Sequence, residues 1–537
     1  MPDQQDYNSR PGNVCSTCRR QKRKCTKERP RCSVCQKAGR ACDYTPIPPI
    51  IKNSRTSTSR DIRESSESQE QHESGSRPAK TVRLTGSESR MLALPATSGL
   101  STLFLDSDIS PDRSYLERNK KISLPSEYLR YLRNAVEVRH DVDVYFNSVH
   151  TFFPIVSKLR LYRQLTNEDR NYDADLALLL IAMQLHTRPS TAVDTMEVEL
   201  YRLAKASYTY IESNGLLSIT VLQALLLISL YEMSNAVYPA AYLTVGRCAR
   251  LGHAMGIHQR SDAPQMLNGP GTWVELEERR RTWWAVIILD RYVNLGGRGR
   301  PFACEDAQPE DLLPADDKNW DRGEITAVEP LAVRTNTTIA VCPFTRTCQA
   351  AHVLARVLGH LNDRNSDADF RYEEAMQLHR TAQALSHTLS NELDERIEKE
   401  YDPTGHLSLF SAIAICYSAL LVLYDRYCCA GVTGITGTTE LQQTALSGIN
   451  QISRAILPFA KNIRSAMELG GSLKMTPLVM DCLYQATANL LWQSRETEKP
   501  DVLQMANEIR DVFVVLQARW KAPNAYLAIL RKSGGQC

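Results

Sequence analysis

An all-α protein is what this sequence predicts, and three observations predict it. Leu and Ala lead an apolar fraction of 43%, apolar residues beyond about residue 125 recur at helical spacing, and no long run alternates with period two between hairpin turns. With 537 residues the chain exceeds one compact core, so it is modular. The expected order is a small cysteine-rich unit of two short helices at 11–45, a disordered Ser/Arg/Glu-rich linker at 46–115, and a large all-helical domain at 116–537.

The first unit rests on its cysteines. Six of fifteen lie in the first 42 residues, at Cys15, Cys18, Cys25, Cys32, Cys35 and Cys42, in the spacing C-x2-C-x6-C-x6-C-x2-C-x6-C. A two-residue gap puts a pair of sulfurs on one turn facing one metal, and a six-residue gap lets a short helix return a third ligand. Two tetrahedral Zn2+ ions need eight ligand positions where six thiolates stand, so two sulfurs bridge. Because the halves repeat, the bridging pair is Cys15 with Cys32, Cys18 with Cys35, or Cys25 with Cys42; spacing does not choose. The polar start "MPDQQDYNSR" argues against secretion and therefore against a disulfide framework. The other nine cysteines, from Cys248 to Cys537 and including Cys428 and Cys429, read as small buried thiols without chemistry.

Charge sits on the same block. Between Cys15 and Cys42 ten Lys or Arg face one acid, Glu28, while the whole chain carries a net +3. Counting six thiolates and two Zn2+, the unit keeps about +7, a density that suits phosphate and predicts salt-sensitive binding to double-stranded DNA. Ser16 or Thr17 caps a helix whose "RRQKRK" ends against Cys25, so ligation would hold both ends of a basic helix narrow enough for a major groove. In the second half "CSVCQKAGRAC" repeats the design with fewer cations, Gly39 ends its helix, and Pro30 stiffens the loop between the halves.

These residues, "CSTCRRQKRKC", then "RPRC" and "VC", resemble the fungal binuclear zinc cluster, the Zn(2)-C6 class of DNA-binding domain, with all six ligands matched. The resemblance implies two Zn2+ with Cys15 and Cys32 bridging. It implies that Lys22, three before the third cysteine, donates to bases of a CGG-like triplet, while Arg19, Arg20, Arg23 and Lys24 mainly hold phosphates. Gln21 stands where some members carry another lysine. The same basic run suits import into the nucleus.

From Thr45 to Leu103 there is no aromatic residue, and "NSRTSTSRDIRESSESQEQHESGSRP" reads as linker. Ile62 stands alone amid polar residues where a coiled coil would need apolar heptads, so a homodimer would form without a zipper beside the cluster. In "SGLSTLFLDSDISPD" the apolar Leu103, Phe104 and Leu105 read as docking on the following domain rather than as an activation element.

Within the helical part, "VLQALLLISLY" is about half the ~20 residues of a membrane span and reads as a core helix. In "ELEERRRTWWAVIILDR", Trp283, Trp284, Ile287, Ile288 and Arg291 share a broad face. Glu275, Glu277 and Glu278 stand one turn before Arg279, Arg280 and Arg281, so Glu277 can pair with Arg281. With "YFNSVHTFFPIV", "GRCARLGHAMGIH" and "GRP", these phrases resemble the fungal-specific transcription factor domain, closely over about 140–315. Enzyme motifs are absent, and His150, His253 and His258 read as structural. The expected protein is a nuclear, sequence-specific transcription factor of the RNA polymerase II type and not an enzyme. It would activate a metabolic gene set, secondary metabolism included, with co-regulators as partners and no membrane. The alternative makes the helical domain the sensor of a metabolite or co-regulator, with the cluster only locating it on DNA.

Overall fold

The helical spacing of the apolar residues is realised among the described residues. The computed structural model describes residues 25, 26, 28, 31–37 and 42. It also describes 122–533, apart from 167–171, 188–194, 259–266, 268, 298, 326–329, 336–338, 364, 400–401 and 429–437. The chain divides into two units, Met1–Arg90 and Met91–Cys537. The linker, Ile62, Leu103, Phe104 and Leu105 lie outside the described residues.

In the first unit α1 is Ser33–Lys37. The second unit holds α2 (Ala135–Phe146), α3 (Lys158–Leu165), α4 (Ala174–Thr187), α5 (Thr195–Ser213), α6 (Ile219–Ser234), α7 (Ala240–Met255), α8 (Trp273–Val293) and α9 (Asp317–Arg322). It continues with α10 (Pro343–Asn362), α11 (Ala368–Lys399), α12 (Phe410–Tyr427), α13 (Thr438–Glu468), α14 (Met480–Thr497), α15 (Pro500–Leu516) and α16 (Ala522–Ser533). Among the described residues there is no strand, only the single bridge Leu312–Ala332.

Local sequence starts and stops these helices. The side chains of Asn134, Ser157, Ser218, Thr272 and Asp316 each accept a backbone N–H from the first turn of α2, α3, α6, α8 and α9, a cap worth roughly 1 kcal/mol. Gly256 ends α7 at φ 72°, a left-handed angle that favours glycine. Gly252, one turn earlier, is required by contact: a Cβ there would lie 2.6 Å from Cζ3 of Trp283.

One apolar core runs from Ile122 to Leu530. In it α6 lies between α4 and α7, α8 touches α6, α7 and α10, and α12 is ringed by α10, α11, α13 and α14. From Val221 to Ser234 every residue of α6 is buried, as a core helix should be. Gly405–Tyr427, at mean hydropathy 2.1, is the one described stretch long and apolar enough to cross a membrane. Its apolar window is 89% buried beneath neighbouring helices.

The charged run of α8 is buried rather than a solvated face. Glu277 and Arg281 are both fully buried and pair at 2.9 Å. Arg281 also reaches Asp317 (2.7 Å) and the carbonyl of Ala315 (2.6 Å), and its guanidinium lies 4.3 Å from the Trp320 ring centre. Glu277 bonds Arg280 as well and accepts the Ala315 N–H at 2.8 Å. Glu278 accepts the N–H of Ser157 (2.8 Å) and the amide of Gln223 (3.0 Å). Further along, Asp290 accepts the N–H groups of Ala303 and Cys304, while Arg291 bonds the Cys304 carbonyl (3.0 Å) and Asp306. Trp283, Trp284, Ile287, Ile288 and Arg291 are all buried, but so is the rest of the helix from Arg280 onward.

Removing one member of such a pair strands a buried charge. Glu277→Gln should therefore destabilise the protein by about 3–5 kcal/mol, whereas Glu275→Gln, whose partner Arg279 is less deeply buried, should cost about 1 kcal/mol or less. Thermal and denaturant unfolding of the two variants compares them; equal loss would show that burial does not set the cost.

Candidate metal centre and nucleic-acid interface

Three of the predicted ligands converge. The Sγ atoms of Cys32, Cys35 and Cys42 all lie within 4.8 Å of one another. Tetrahedral zinc with Zn–S bonds near 2.3 Å asks for sulfurs about 3.8 Å apart, so the donor set fits that ion. Sequence explains the convergence. Cys32 immediately precedes α1 and Cys35 lies in its first turn, with Gln36 donating its N–H to the Cys32 carbonyl at 3.0 Å.

Backbone donors point at these sulfurs. The Cys35 N–H donates to Cys32 Sγ at 3.4 Å, and the Cys32 N–H donates to Cys42 Sγ at 3.3 Å. Such bonds favour the thiolate, the form that binds metal. Cys25, from the first half, packs with Cys32 and Cys35, and among the described residues Val34 and Cys42 join this small core. The described residues of this unit offer little apolar burial besides cysteine, and the converging thiols of Cys32, Cys35 and Cys42 could hold a metal in its place.

A feature the cysteine pattern did not reveal is the cap of α1. The Ser33 N–H points at Thr26 Oγ1 and Glu28 Oε2, each at 3.0 Å, and the Ser33 hydroxyl bonds Thr26 at 2.9 Å. Glu28, the single acid of the block, thus sits at the start of the second-half helix, where a negative charge is favourable. Its signal was a Thr and a Glu within seven residues of that helix. The remaining predicted site residues, Cys15, Cys18, Arg19, Arg20, Lys22, Arg23 and Lys24, lie outside the described residues, as do Gln21, Pro30 and Gly39.

Of the scattered cysteines, Cys248, Cys304, Cys342, Cys348, Cys416 and Cys482 are buried as expected, Cys428 is only half-buried, and Cys429 and Cys537 lie outside the described residues. Burial pushes the thiols of Cys304, Cys342 and Cys416 up to about 12 and those of Cys348 and Cys482 well above the ordinary value, so they stay protonated at neutral pH. His150 is engaged structurally, its Nε2 3.0 Å from Asp321. His253 and His258 pack on the Trp283 ring.

Comparison with known proteins agrees with this arrangement. The family described as "Fungal Zn(2)-Cys(6) binuclear cluster domain" matches residues 13–49, and that described as "Fungal specific transcription factor domain" matches 142–455, more than half of the chain. The chain is 37% identical over 182 residues to transcription factor BOA15 of Botryotinia fuckeliana, covering 34% of this chain and 99% of the relative. It is 24% identical over 404 residues to the pigment biosynthesis transcriptional activator pigB of Monascus ruber, covering 72% and 71% of the two chains. It is 25% identical over 365 residues to the azaphilone cluster-specific transcription factor azaR of Aspergillus niger, covering 65% and 72%.

The cofactor is a pair of zinc ions, and the protein is regulatory in kind. Cys35→Ala should lower bound zinc from two per chain to one or fewer, measured by atomic emission on purified full-length protein; a variant still holding two would remove Cys35 from the ligand set. A sulfur-built metal centre ahead of an all-helical domain, matched by both family models, places this chain among the fungal Zn(2)-Cys(6) binuclear-cluster transcription factors that carry the fungal specific transcription factor domain.

Proposed function

We propose that this protein is a nuclear activator of a secondary-metabolite gene set that reads a CGG-like triplet through Lys22. The convergence of Cys32, Cys35 and Cys42 beside a block of ten cations carries this reading, because it turns a basic run into a rigid presenting frame. Cys15 and Cys32 bridge two zinc ions, and Cys18, Cys25, Cys35 and Cys42 complete them. Cys32 is fully buried and clusters with Cys25 of the first half and Cys35 of the second, which suits a bridging sulfur. Arg19, Arg20, Arg23 and Lys24 hold phosphates and set the register in which Lys22 meets base edges.

The DNA-binding domain is 11–45, joined through 46–115 to the regulatory domain at 116–537. Target class is supported by the relatives, whose names refer to pigment biosynthesis and an azaphilone cluster. Co-regulators engage the helical domain, and homodimers form without a coiled coil beside the cluster.

Lys22→Ala should lower affinity for a CGG duplex by about 10- to 100-fold while leaving scrambled DNA and zinc content unchanged. Arg23→Ala should weaken both duplexes alike and reduce the slope of log affinity against log salt by about one. Fluorescence anisotropy at several salt concentrations reads both; unchanged CGG preference in Lys22→Ala sinks the assignment.

A further inference from the structure

The helical domain carries an open pocket of about 680 Å³ that DNA reading does not use, a volume suited to a small organic molecule. One stripe of α7 forms its floor. Leu243, Gly246, Arg247, Arg250 and Leu251 follow one another at helical steps, so they share a face, and Tyr208 of α5, Tyr242 and Phe302 add aromatic walls.

The charge on this floor is uncompensated. Arg247 and Arg250 stand one turn apart, both exposed, and neither pairs with a carboxylate among the described residues. The acids of the wall are engaged elsewhere: Glu212 accepts the Tyr208 hydroxyl at 2.8 Å, and Asp290 pairs with Arg291. The guanidinium of Arg247 lies 5.7 Å from the Tyr208 ring centre, and that of Arg300 lies 5.5 Å from the Tyr242 ring centre. Both charges therefore sit over rings that line the pocket. Like charges one turn apart repel, and an anion held between them removes that repulsion.

Gly246 is a second, independent sign. A glycine in the middle of a helix costs stability relative to alanine, yet packing does not demand this one, because a Cβ there would meet no atom within 4 Å. Its backbone angle is not left-handed either. Gly252 of the same helix, pressed on Trp283, shows what a packing glycine looks like. At Gly246 the missing side chain opens the pocket floor and lets a flat molecule approach the helix backbone.

We propose that this pocket binds a flat aromatic molecule bearing one carboxylate, held by Arg247 and Arg250, with its ring on the α7 stripe beside Tyr242 and Phe302. The negative charge of Glu212 on the wall counts against a second carboxylate. A nucleic-acid phosphate would meet the arginines but leave Leu243, 58% exposed, uncovered.

Full-length, zinc-loaded protein is titrated by calorimetry with 2-naphthoate and its neutral near-isostere 2-naphthamide, and melting temperatures are read alongside. The acid should bind about tenfold or more tightly than the amide, with the difference shrinking as salt rises. Combining Arg247→Gln with Arg250→Gln should bring the two affinities together. Gly246→Leu, which fills the floor, should abolish binding of both probes; Gly246→Ala should raise the melting temperature of the free protein while weakening both several-fold. Equal binding of acid and amide by the parent protein would overturn the proposal. So would discrimination that survives loss of both arginines, undiminished binding in the two Gly246 variants, or failure of the parent to bind either probe.

Discussion

The structure depends on how one helix disposes of its charge. Residues Glu277, Glu278, Arg280, Arg281, Asp290 and Arg291 of α8 are all buried, and an unpaired buried charge costs several kcal/mol. Each therefore has partners: Arg280 pairs with Glu277 within the helix, and the others also reach segments distant in sequence. Glu278 recruits Ser157 and Gln223; Glu277 and Arg281 recruit Ala315 and Asp317; Asp290 and Arg291 recruit Ala303, Cys304 and Asp306. These partners help fix the segments at 303–306 and 315–317 against α8, beside the backbone pairing of Leu312 with Ala332.

The two units solve opposite problems. The helical domain has apolar surface in abundance, and a continuous core stabilises it, so its polar network mainly specifies which arrangement the helices take. Around α1 the described residues offer little apolar surface besides cysteine. Order there comes from converging sulfurs and from Thr26 and Glu28 at the helix start, and the fold of that unit is inseparable from its metal.

Phe302, placed by Arg291 and Asp290, connects the charge network to the pocket over α7.

Much of this was legible in the sequence. Thiolate chemistry is local, so the spacing of the cysteines pointed to the metal and to the second-half helix. Helical period gave an all-α domain and the core helix at 219–234, and the Glu277–Arg281 pair followed from four-residue spacing because both partners share one helix. What the sequence could not express is environment. The Glu and Arg run of α8 has the composition of a solvated face, yet packing against α6, α7 and α10 buries it, and only then does pairing become obligatory. Likewise Asn294 is an ordinary polar residue in the chain; tertiary packing at the end of α8 buries its side-chain oxygen without a hydrogen-bond partner among the described residues.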